Sequence, residues 1–324
     1  MAVAGISMAK KALTNTKSGG RGHYLAIASV EASRLKSLLK SALACKAAPN
    51  KIAKSLAGKS VICIYEKPSL RTRVSFEVGI AGMGGHPIYY DTKDQQIGVR
   101  ESLVDVAKNL GRMVDGIVAR VYQQATLDGL AQHSGVPVIN ALSNDHHPCQ
   151  ALADVLTICE RWGKIKGVRV CYVGDGNNVA RSLSQAVCKL GGLMTVITPA
   201  GYGLPAEDVE ACQAEADSSG GAFTQSNETR LVASQQVVYT DEWSSMHHAD
   251  GPARASNFAR YQVNSALLSK ADKKAIFMHC LPAARGQEVT DGVIDGPQSV
   301  VYDQAENRIY AQQAVLLDLL AGRR

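Results

Sequence analysis

The chain has 324 residues, of which 46% are hydrophobic and 20% are charged, an ordinary globular composition for two domains. No apolar run approaches the roughly 18 residues that span a bilayer, so we expect a soluble chain without a membrane partner. Much of the net charge of +6 lies in residues 1–30, which contain basic residues and no acid. The remainder shows no basic stripe, so nucleic acid is not an expected partner.

Strand and helix patterns alternate along the first half of the chain. Apolar runs bounded by turn residues predict strands, and apolar residues at spacings of three and four predict helices. The predicted strands are 60–64, 86–90, 116–120 and 137–140. The predicted helices are 70–83, with Val74, Val78 and Ala81 in helical spacing, 103–110, 124–134 and a long helix that starts near His147.

The second half continues the alternation. The predicted strands are 168–174, 193–198, 235–240, 275–280 and 299–302, and the predicted helices are 179–190, 205–217 and an amphipathic helix containing Ile309, Leu316 and Leu320. The polar stretch 244–262 has no period and is predicted to be a long loop. We therefore predict an α/β fold with two domains, each a parallel sheet flanked by helices, and a boundary near 150–165.

Cysteine usage and the leader bear on location. Eight scattered cysteines without a CxxC pair are typical of free thiols in a reducing compartment, so we expect a cytoplasmic protein. Residues 1–21 are basic, acid-free and rich in hydroxyl groups. This composition favours a flexible tail and leaves open a mitochondrial transit peptide, which would place the protein in the matrix.

Candidate ligand-binding residues follow the strands, because open α/β sheets bind ligands at the carboxyl ends of their strands. Ser69 and Thr72 supply hydroxyl groups, and Arg71 and Arg73 supply forked donors, just where a predicted helix begins. Helix N-termini and guanidinium groups both favour phosphate oxygens. We interpret this segment as an oxyanion site, with a capped helix and surface arginines as the alternative.

The next two strand ends also carry polar residues. Arg120 ends a buried strand, where an arginine is costly without an anionic partner or ligand. His147 and Gln150 lie in the first turn of the following helix and are placed to bind a polar ligand, although a simple helix cap is equally compatible. The two pairs of adjacent histidines do not predict a metal site, because neighbouring residues rarely converge on one ion.

The second predicted sheet offers a turn, a carboxylate and a thiol. The turn at 174–178 is not G-x-G-x-x-G and does not indicate a dinucleotide site. Asp241 follows a predicted strand and can hold an amine. Cys280 ends another strand, as a reactive thiol would, although a buried inert cysteine remains open.

From about Gly22 to the C-terminus these segments resemble the aspartate/ornithine carbamoyltransferase family. The motifs that carry the resemblance are S-L-R-T-R at 69–73, Gln96 in D-Q-Q-I-G, Arg120 in A-R-V-Y, H-P-C-Q at 147–150, Asn178 in G-D-G-N-N, D-E-W-S-S-M at 241–246, H-C-L-P at 279–282 and Arg308 in A-E-N-R. Two positions depart from the family pattern: Leu70 stands where threonine is common, and His247 follows Ser245-Met246 where glycine is usual.

The resemblance implies a domain plan and an assembly. The plan comprises a flexible leader 1–21, a carbamoyl-phosphate-binding domain 22–155, an ornithine-binding domain 156–304, and a C-terminal helix 305–324 that returns to the first domain. Three chains would form a closed ring, in which Gln96 and Arg100 reach the neighbouring chain's site. No metal ion or organic cofactor is implied.

The implied reaction transfers the carbamoyl group of carbamoyl phosphate to the δ-amine of L-ornithine, giving L-citrulline and phosphate. The implied carbamoyl-phosphate-binding residues are Ser69, Leu70, Arg71, Thr72, Arg73, Gln96, Arg120, His147, Gln150, Cys280, Leu281 and Arg308. The implied ornithine-binding residues are Asn178, Asp241, Ser245 and Met246. Arg120 and His147 would stabilise the oxyanion, while Cys280 and Asp241 would bind the amine and help remove its proton.

Other functions remain open. A sister enzyme acting on putrescine or an N-acylated ornithine is the nearest alternative, although Asp241 and Ser245 match positions that bind the free amino acid. An enzyme acting on aspartate is not expected, because Cys280 does not fit that pattern. A catalytically silent binding subunit is disfavoured by the intact Arg71 and Arg120. The sequence leaves the metabolic direction of the reaction open.

Overall fold

The computed structural model describes residues 22–92, 97–243 and 251–322. Three predictions therefore lie outside the described residues: the leader, Gln96, and the Ser245-Met246-His247 departure. Within the described part, no helix combines the length and hydropathy needed to cross a membrane.

The first half of the chain folds around a parallel sheet with the strand order β2-β1-β3-β4. Its strands are β1 (Ser60–Tyr65), β2 (His86–Asp91), β3 (Gly116–Arg120) and β4 (Val138–Leu142). Its helices are α1 (Ala32–Ala47), α2 (Leu70–Gly82), α3 (Leu103–Met113), α4 (Gln124–His133) and α5 (Pro148–Trp162).

The second half forms a parallel sheet with the order β7-β6-β5-β8-β9. Its strands are β5 (Arg169–Val173), β6 (Leu193–Ile197), β7 (Ala222–Ser226), β8 (Val237–Thr240) and β9 (Ile276–His279). Its helices are α6 (Asn178–Lys189), α7 (Ala206–Ser219), α8 (Gly251–Phe258), α9 (Ser265–Leu268), α10 (Asp291–Ile294) and α11 (Val301–Leu320). The prediction of two parallel sheets flanked by helices is confirmed.

Two helices join the halves. Every residue of α5 from Pro148 to Ile158 is buried, because the helix packs against α6 on one side and against α1 and α11 on the other. Helix α11 packs on α1, α2 and α5, which belong to the first half, and buries Val315, Leu316 and Leu319 there. Helices α1 and α11 thus lie in the same layer of helices.

Several predicted elements were wrong. Residues 299–302 are not a strand: Ser299 forms an isolated bridge to Phe277, and Val301 starts α11. Short apolar runs fit a strand and a helix turn equally well, so their period could not decide this case. The predicted loop 244–262 contains α8, which the sparse apolar pattern around the buried Phe258 did not reveal. Strand β7 and helix α1 were not predicted.

The apolar spacing in α2 lies on the face opposite to the buried one. Val74 and Val78 are 46% and 50% exposed, whereas Phe76 and Ile80 are completely buried. The remaining buried positions of this face are small or polar, including Thr72, which hides the inward stripe from a search for hydrophobic periodicity. Helix α2 therefore presents an apolar outer face in the single chain.

Candidate active site

A cleft of about 850 Å³ lies between the carboxyl ends of the two sheets. Both sheets reverse their winding direction here, at β1 and at β5, which is where open α/β sheets form ligand crevices. The predicted residues that line the cleft are Ser69, Leu70, Arg71, Arg120, His147, Gln150, Asn178, Asp241, Cys280, Leu281 and Arg308. Folding thus brings together residues from seven separate segments of the chain.

The N-terminus of α2 forms one wall. Ser69 caps the helix, its hydroxyl oxygen accepting from the Thr72 backbone N–H at 3.3 Å. The positive end of the helix dipole therefore faces the cleft. The Thr72 side chain is buried behind this wall and does not line it; its hydroxyl oxygen accepts from Arg308 Nη2 at 2.7 Å. Thr72 thus serves to hold an arginine in place.

Three guanidinium groups converge beside this helix end. Arg120 donates from Nε to the Lys67 carbonyl oxygen at 3.2 Å, and the buried Nε atoms of Arg71 and Arg308 have no partner among the described residues. Burial, followed by the charge of Arg308, lowers the pKa of Arg120 to about 10. None of the three is paired with a described carboxylate. Buried, uncompensated positive charge of this kind favours an anionic ligand.

Arg73 does not join this cluster. Its Nε donates to Glu77 at 2.9 Å, and its guanidinium lies 3.7 Å from the centre of the Tyr89 ring on the outer face of α2. The structure therefore separates the two arginines of the motif: Arg71 faces the cleft and Arg73 faces away from it. This separation follows from the helix, in which residues two positions apart point in different directions.

The N-terminus of α5 supplies two neutral polar groups. Burial, followed by the charge of Arg308, lowers the pKa of His147 well below its ordinary value, so its imidazole is neutral at physiological pH. Its Nδ1 has no partner among the described residues. The Gln150 amide nitrogen donates to Asp154 at 2.9 Å, and the amide oxygen is buried without a described partner. Both side chains can hydrogen-bond a ligand in the cleft.

The opposite wall carries a carboxylate and a thiol. Asp241, after β8, accepts from Asn177 Nδ2 and from Cys280 Sγ, each at 2.9 Å. Burial, followed by the charge of Asp241, raises the pKa of the Cys280 thiol well above its ordinary value. Cys280 is therefore a protonated hydrogen-bond donor at neutral pH rather than a thiolate. Asn178, at the start of α6, lies beside this pair and donates to the Ser143 carbonyl oxygen at 2.6 Å.

A metal ion fits this wall poorly. Asp241, His279 and Cys280 place one ligand atom each within 4.8 Å of one another. However, His279 Nδ1 accepts from the Leu281 backbone N–H at 2.9 Å, and its Nε2 lies 3.2 Å from Glu288. Because both ring nitrogens are occupied, the imidazole is not free to ligate an ion.

Sequence reasoning missed several residues in or behind the cleft, among them Lys67, Asn177 and Asp154. Lys67 lines the cleft, where burial, followed by the charge of Arg120, lowers its pKa; its place between a strand and the S-x-R-T-R motif was the available signal. Asn177 orients Asp241, and Asp154 binds Gln150 one helical turn away. Both act through another side chain, so no ligand-facing pattern marked them.

The cleft places three guanidinium groups on the side of the first sheet and a carboxylate-thiol pair on the side of the second, an arrangement that suits a transferase acting between an anionic donor and an amine. Residues 22–160 match the carbamoyl-P binding domain of the aspartate/ornithine carbamoyltransferases, and residues 166–319 match the Asp/Orn binding domain of the same family. The chain belongs to the aspartate/ornithine carbamoyltransferase family. The resemblance inferred from the motifs is confirmed.

Individual relatives are similar over most of the chain. The ornithine carbamoyltransferase of Pyrococcus abyssi is 50% identical over 269 residues, covering 82% of this chain and 85% of the relative. That of Shewanella oneidensis is 46% identical over 300 residues, covering 92% and 99%. The solved ornithine carbamoyltransferase from Pyrococcus furiosus superposes with a TM-score of 0.91 at 45% identity, covering 94% of this chain and 99% of that one.

Proposed function

We propose that the chain transfers the carbamoyl group of carbamoyl phosphate to the δ-amine of L-ornithine, giving L-citrulline and phosphate. One observation carries this proposal: three guanidinium groups that have no carboxylate partner among the described residues lie across one cleft from a carboxylate-thiol pair. The first suits a phosphorylated donor and the second suits an amine. The relatives described above are all named for this reaction.

Carbamoyl phosphate binds at the first wall in this proposal. The phosphate lies at the N-terminus of α2, against Ser69 and Arg71, where helix dipole and guanidinium charge act together. Arg120 and the neutral His147 donate to the carbonyl oxygen and stabilise the oxyanion that forms when the carbonyl carbon becomes tetrahedral. The carbamoyl N–H groups need acceptors, and we assign them to Gln150 Oε1 and the Leu281 carbonyl oxygen.

Ornithine binds at the second wall. Its δ-amine resembles that of lysine, with a solution pKa of about 10.4, so it arrives largely as an ammonium ion. Asp241 accepts this ammonium and takes up its proton before the nitrogen attacks, while the protonated Cys280 thiol stays hydrogen-bonded to the Asp241 carboxylate. The neutral nitrogen forms the new C–N bond as the carbonyl π electrons move onto the oxygen. The tetrahedral intermediate then collapses: the C–O bond to phosphate breaks, and phosphate leaves with that electron pair and takes the second proton from the nitrogen. Asn178, together with Ser245 and Met246 outside the described residues, orients the amino-acid end.

A panel of amines tests the choice of acceptor. With carbamoyl phosphate saturating, we expect ornithine to exceed putrescine and N-acetylornithine by at least about 100-fold in kcat/KM, since buried polar groups penalise an incomplete ligand. Product formation is scored as citrulline or the corresponding carbamoyl amine. If putrescine or N-acetylornithine were preferred, that amine would be the substrate instead of ornithine. If no amine were carbamoylated, the proposed reaction would be rejected.

We also propose a ring of three chains. The outer face of α2 and the edge strand β2 together expose Leu70, Val74, Val78, Tyr89 and Tyr90. An apolar patch of this kind suits burial against a second copy of the chain. The segment after β2, which contains Gln96 and Arg100, would then reach the neighbouring cleft.

Hybrid assemblies test this sharing of sites. Arg71→Ala and the double variant Gln96→Ala with Arg100→Ala are each expected to be nearly inactive alone. Random mixing of equal amounts during refolding gives each site an intact Arg71 with a probability of one half. The neighbouring chain supplies intact Gln96 and Arg100 with the same probability. In a closed ring these two probabilities are independent, so about one quarter of the wild-type activity should return. Confirmed hybrids without recovered activity would place the whole site within one chain.

Two further proposals follow from the sequence. We place the protein in the cytoplasm or another reducing compartment, because all eight cysteines are free and most are buried. We also keep the domain division near residue 155, in the middle of α5, with α11 returning to the first domain.

A further inference from the structure

Asp154 is a buried carboxylate behind the cleft. It lies on α5, is completely buried and does not line the cleft. Its Oδ1 accepts two hydrogen bonds, from Gln150 Nε2 at 2.9 Å and from Gln304 Nε2 at 2.7 Å. Burying a carboxylate is costly, so its position directly behind a ligand-facing amide calls for a function.

The hydrogen bonds around Asp154 determine how the Gln150 amide is turned. Gln304 Oε1 accepts from the backbone N–H of His279 at 2.9 Å, so the nitrogen of Gln304 must point towards Asp154. The Asp154 oxygen that receives it is therefore an acceptor. Only the nitrogen of Gln150 can complete a hydrogen bond to that oxygen.

The opposite end of the Gln150 amide is then also determined. Gln150 is 1% exposed, lines the cleft, and its Oε1 has no hydrogen-bond partner among the described residues. An amide side chain that is not held can turn over and exchange its donor and acceptor ends. With Asp154 behind it, Gln150 offers an acceptor to the cleft.

Building on the proposed function, we propose that Asp154 is a positioning residue that selects the carbamoyl group of the donor substrate. By holding the Gln150 nitrogen, it turns the Gln150 oxygen towards the carbamoyl N–H. An acyl phosphate that has a methyl group in place of the amide would leave this buried oxygen unpaired, and sites built for a polar group reject such analogues. Asp154 thereby contributes to selection between carbamoyl phosphate and acetyl phosphate without touching either.

The test compares three ligands in the full-length protein with ornithine saturating. The measurements are kcat/KM for carbamoyl phosphate and inhibition constants for acetyl phosphate and inorganic phosphate. Asp154→Leu should lower kcat/KM for carbamoyl phosphate by about 10- to 100-fold, as expected for one lost buried hydrogen bond. The two inhibition constants should change by less than about threefold, because neither ligand donates to Gln150.

Matched variants separate positioning from packing. Asp154→Asn keeps an oxygen for both glutamines and should retain the wild-type selectivity. Thr157→Val removes another buried polar contact between α5 and α11, the hydrogen bond from Asn307. This variant should also retain the wild-type selectivity. Asp154→Ala removes the same oxygens without adding bulk. If the leucine variant does not fold, we expect the alanine variant to show the same loss of kcat/KM for carbamoyl phosphate.

A double-mutant cycle shows whether Asp154 acts through Gln150. In a Gln150→Ala background, Asp154→Leu should reduce kcat/KM by less than about threefold further, because the side chain it positions is gone. Additive losses would overturn the proposal, as would wild-type selectivity in both Asp154→Leu and Asp154→Ala, or equal weakening of all three ligands. Failure of the wild type to form citrulline would instead reject the proposed function.

Discussion

Replacing Arg71 with alanine tests the anion site most directly. Arg71 lines the cleft and its buried Nε has no partner among the described residues, so its charge is available to a ligand. A lost charge-assisted contact to phosphate costs about 2–4 kcal/mol of transition-state binding, which corresponds to a loss of about 30- to 1000-fold in kcat/KM. Arg120 and Arg308 remain, so some activity should persist.

Arg71→Ala should not lower the thermal stability of the unliganded protein. Arg71 is one of the positive charges that lower the pKa values of Arg120 and Arg308, after burial and other neighbours. Removing a like charge relieves repulsion, so we expect the Tm without ligand to stay constant or rise. The Tm increase produced by inorganic phosphate should shrink, because the ligand-bound state loses a contact.

The measurements are citrulline formation under steady-state conditions and thermal unfolding with and without phosphate. Arg73→Ala is the matched control from the same motif. Arg73 pairs with Glu77 and stacks on Tyr89 outside the cleft, where exposed pairs contribute about 0–1 kcal/mol. We expect less than about a threefold change in kcat/KM for this control. Near-normal activity and phosphate response in folded Arg71→Ala would refute the site.

Three further predictions concern other parts of the chain. Burial raises the pKa of Asp154 from 3.8 to about 7, so the folded state binds more protons and loses stability as the pH rises between these values. Asp154→Asn should remove this loss, amounting to about 2–3 kcal/mol between pH 5 and 8 in denaturant titrations; parallel pH profiles of the two proteins would contradict it. Because the pKa of Cys280 is raised, we expect iodoacetamide to label it more slowly than free cysteine at pH 7.5, and faster labelling would indicate a thiolate. Gly111→Ala would drive a methyl group into the Ser134 carbonyl oxygen, so we expect a loss of about 1–3 kcal/mol in unfolding free energy, and an unchanged Tm would show that α3 can move.

The sequence alone determined the alternation of strands and helices and the motifs at the strand ends. These features are local: a buried strand needs a short apolar run, and a helix N-terminus with hydroxyl groups and arginines needs only a few neighbouring residues. The confirmed predictions, the α/β fold of parallel sheets and the family resemblance, both rest on such local signals. The errors at 299–302 and 244–262 came from segments too short or too polar to show a period.

Tertiary structure alone decided which side chains meet. Thr72 and Arg308 are 236 residues apart and share a hydrogen bond of 2.7 Å, which no local pattern encodes. The tertiary structure also decided that Arg71 faces the cleft while Arg73 faces away, and that the apolar stripe of α2 points outward. Each outcome depends on which surface of a helix packs against the sheet and against α11. A sequence pattern gives the period of a helix, but its buried face is set by the free energy of packing against partners distant in the chain.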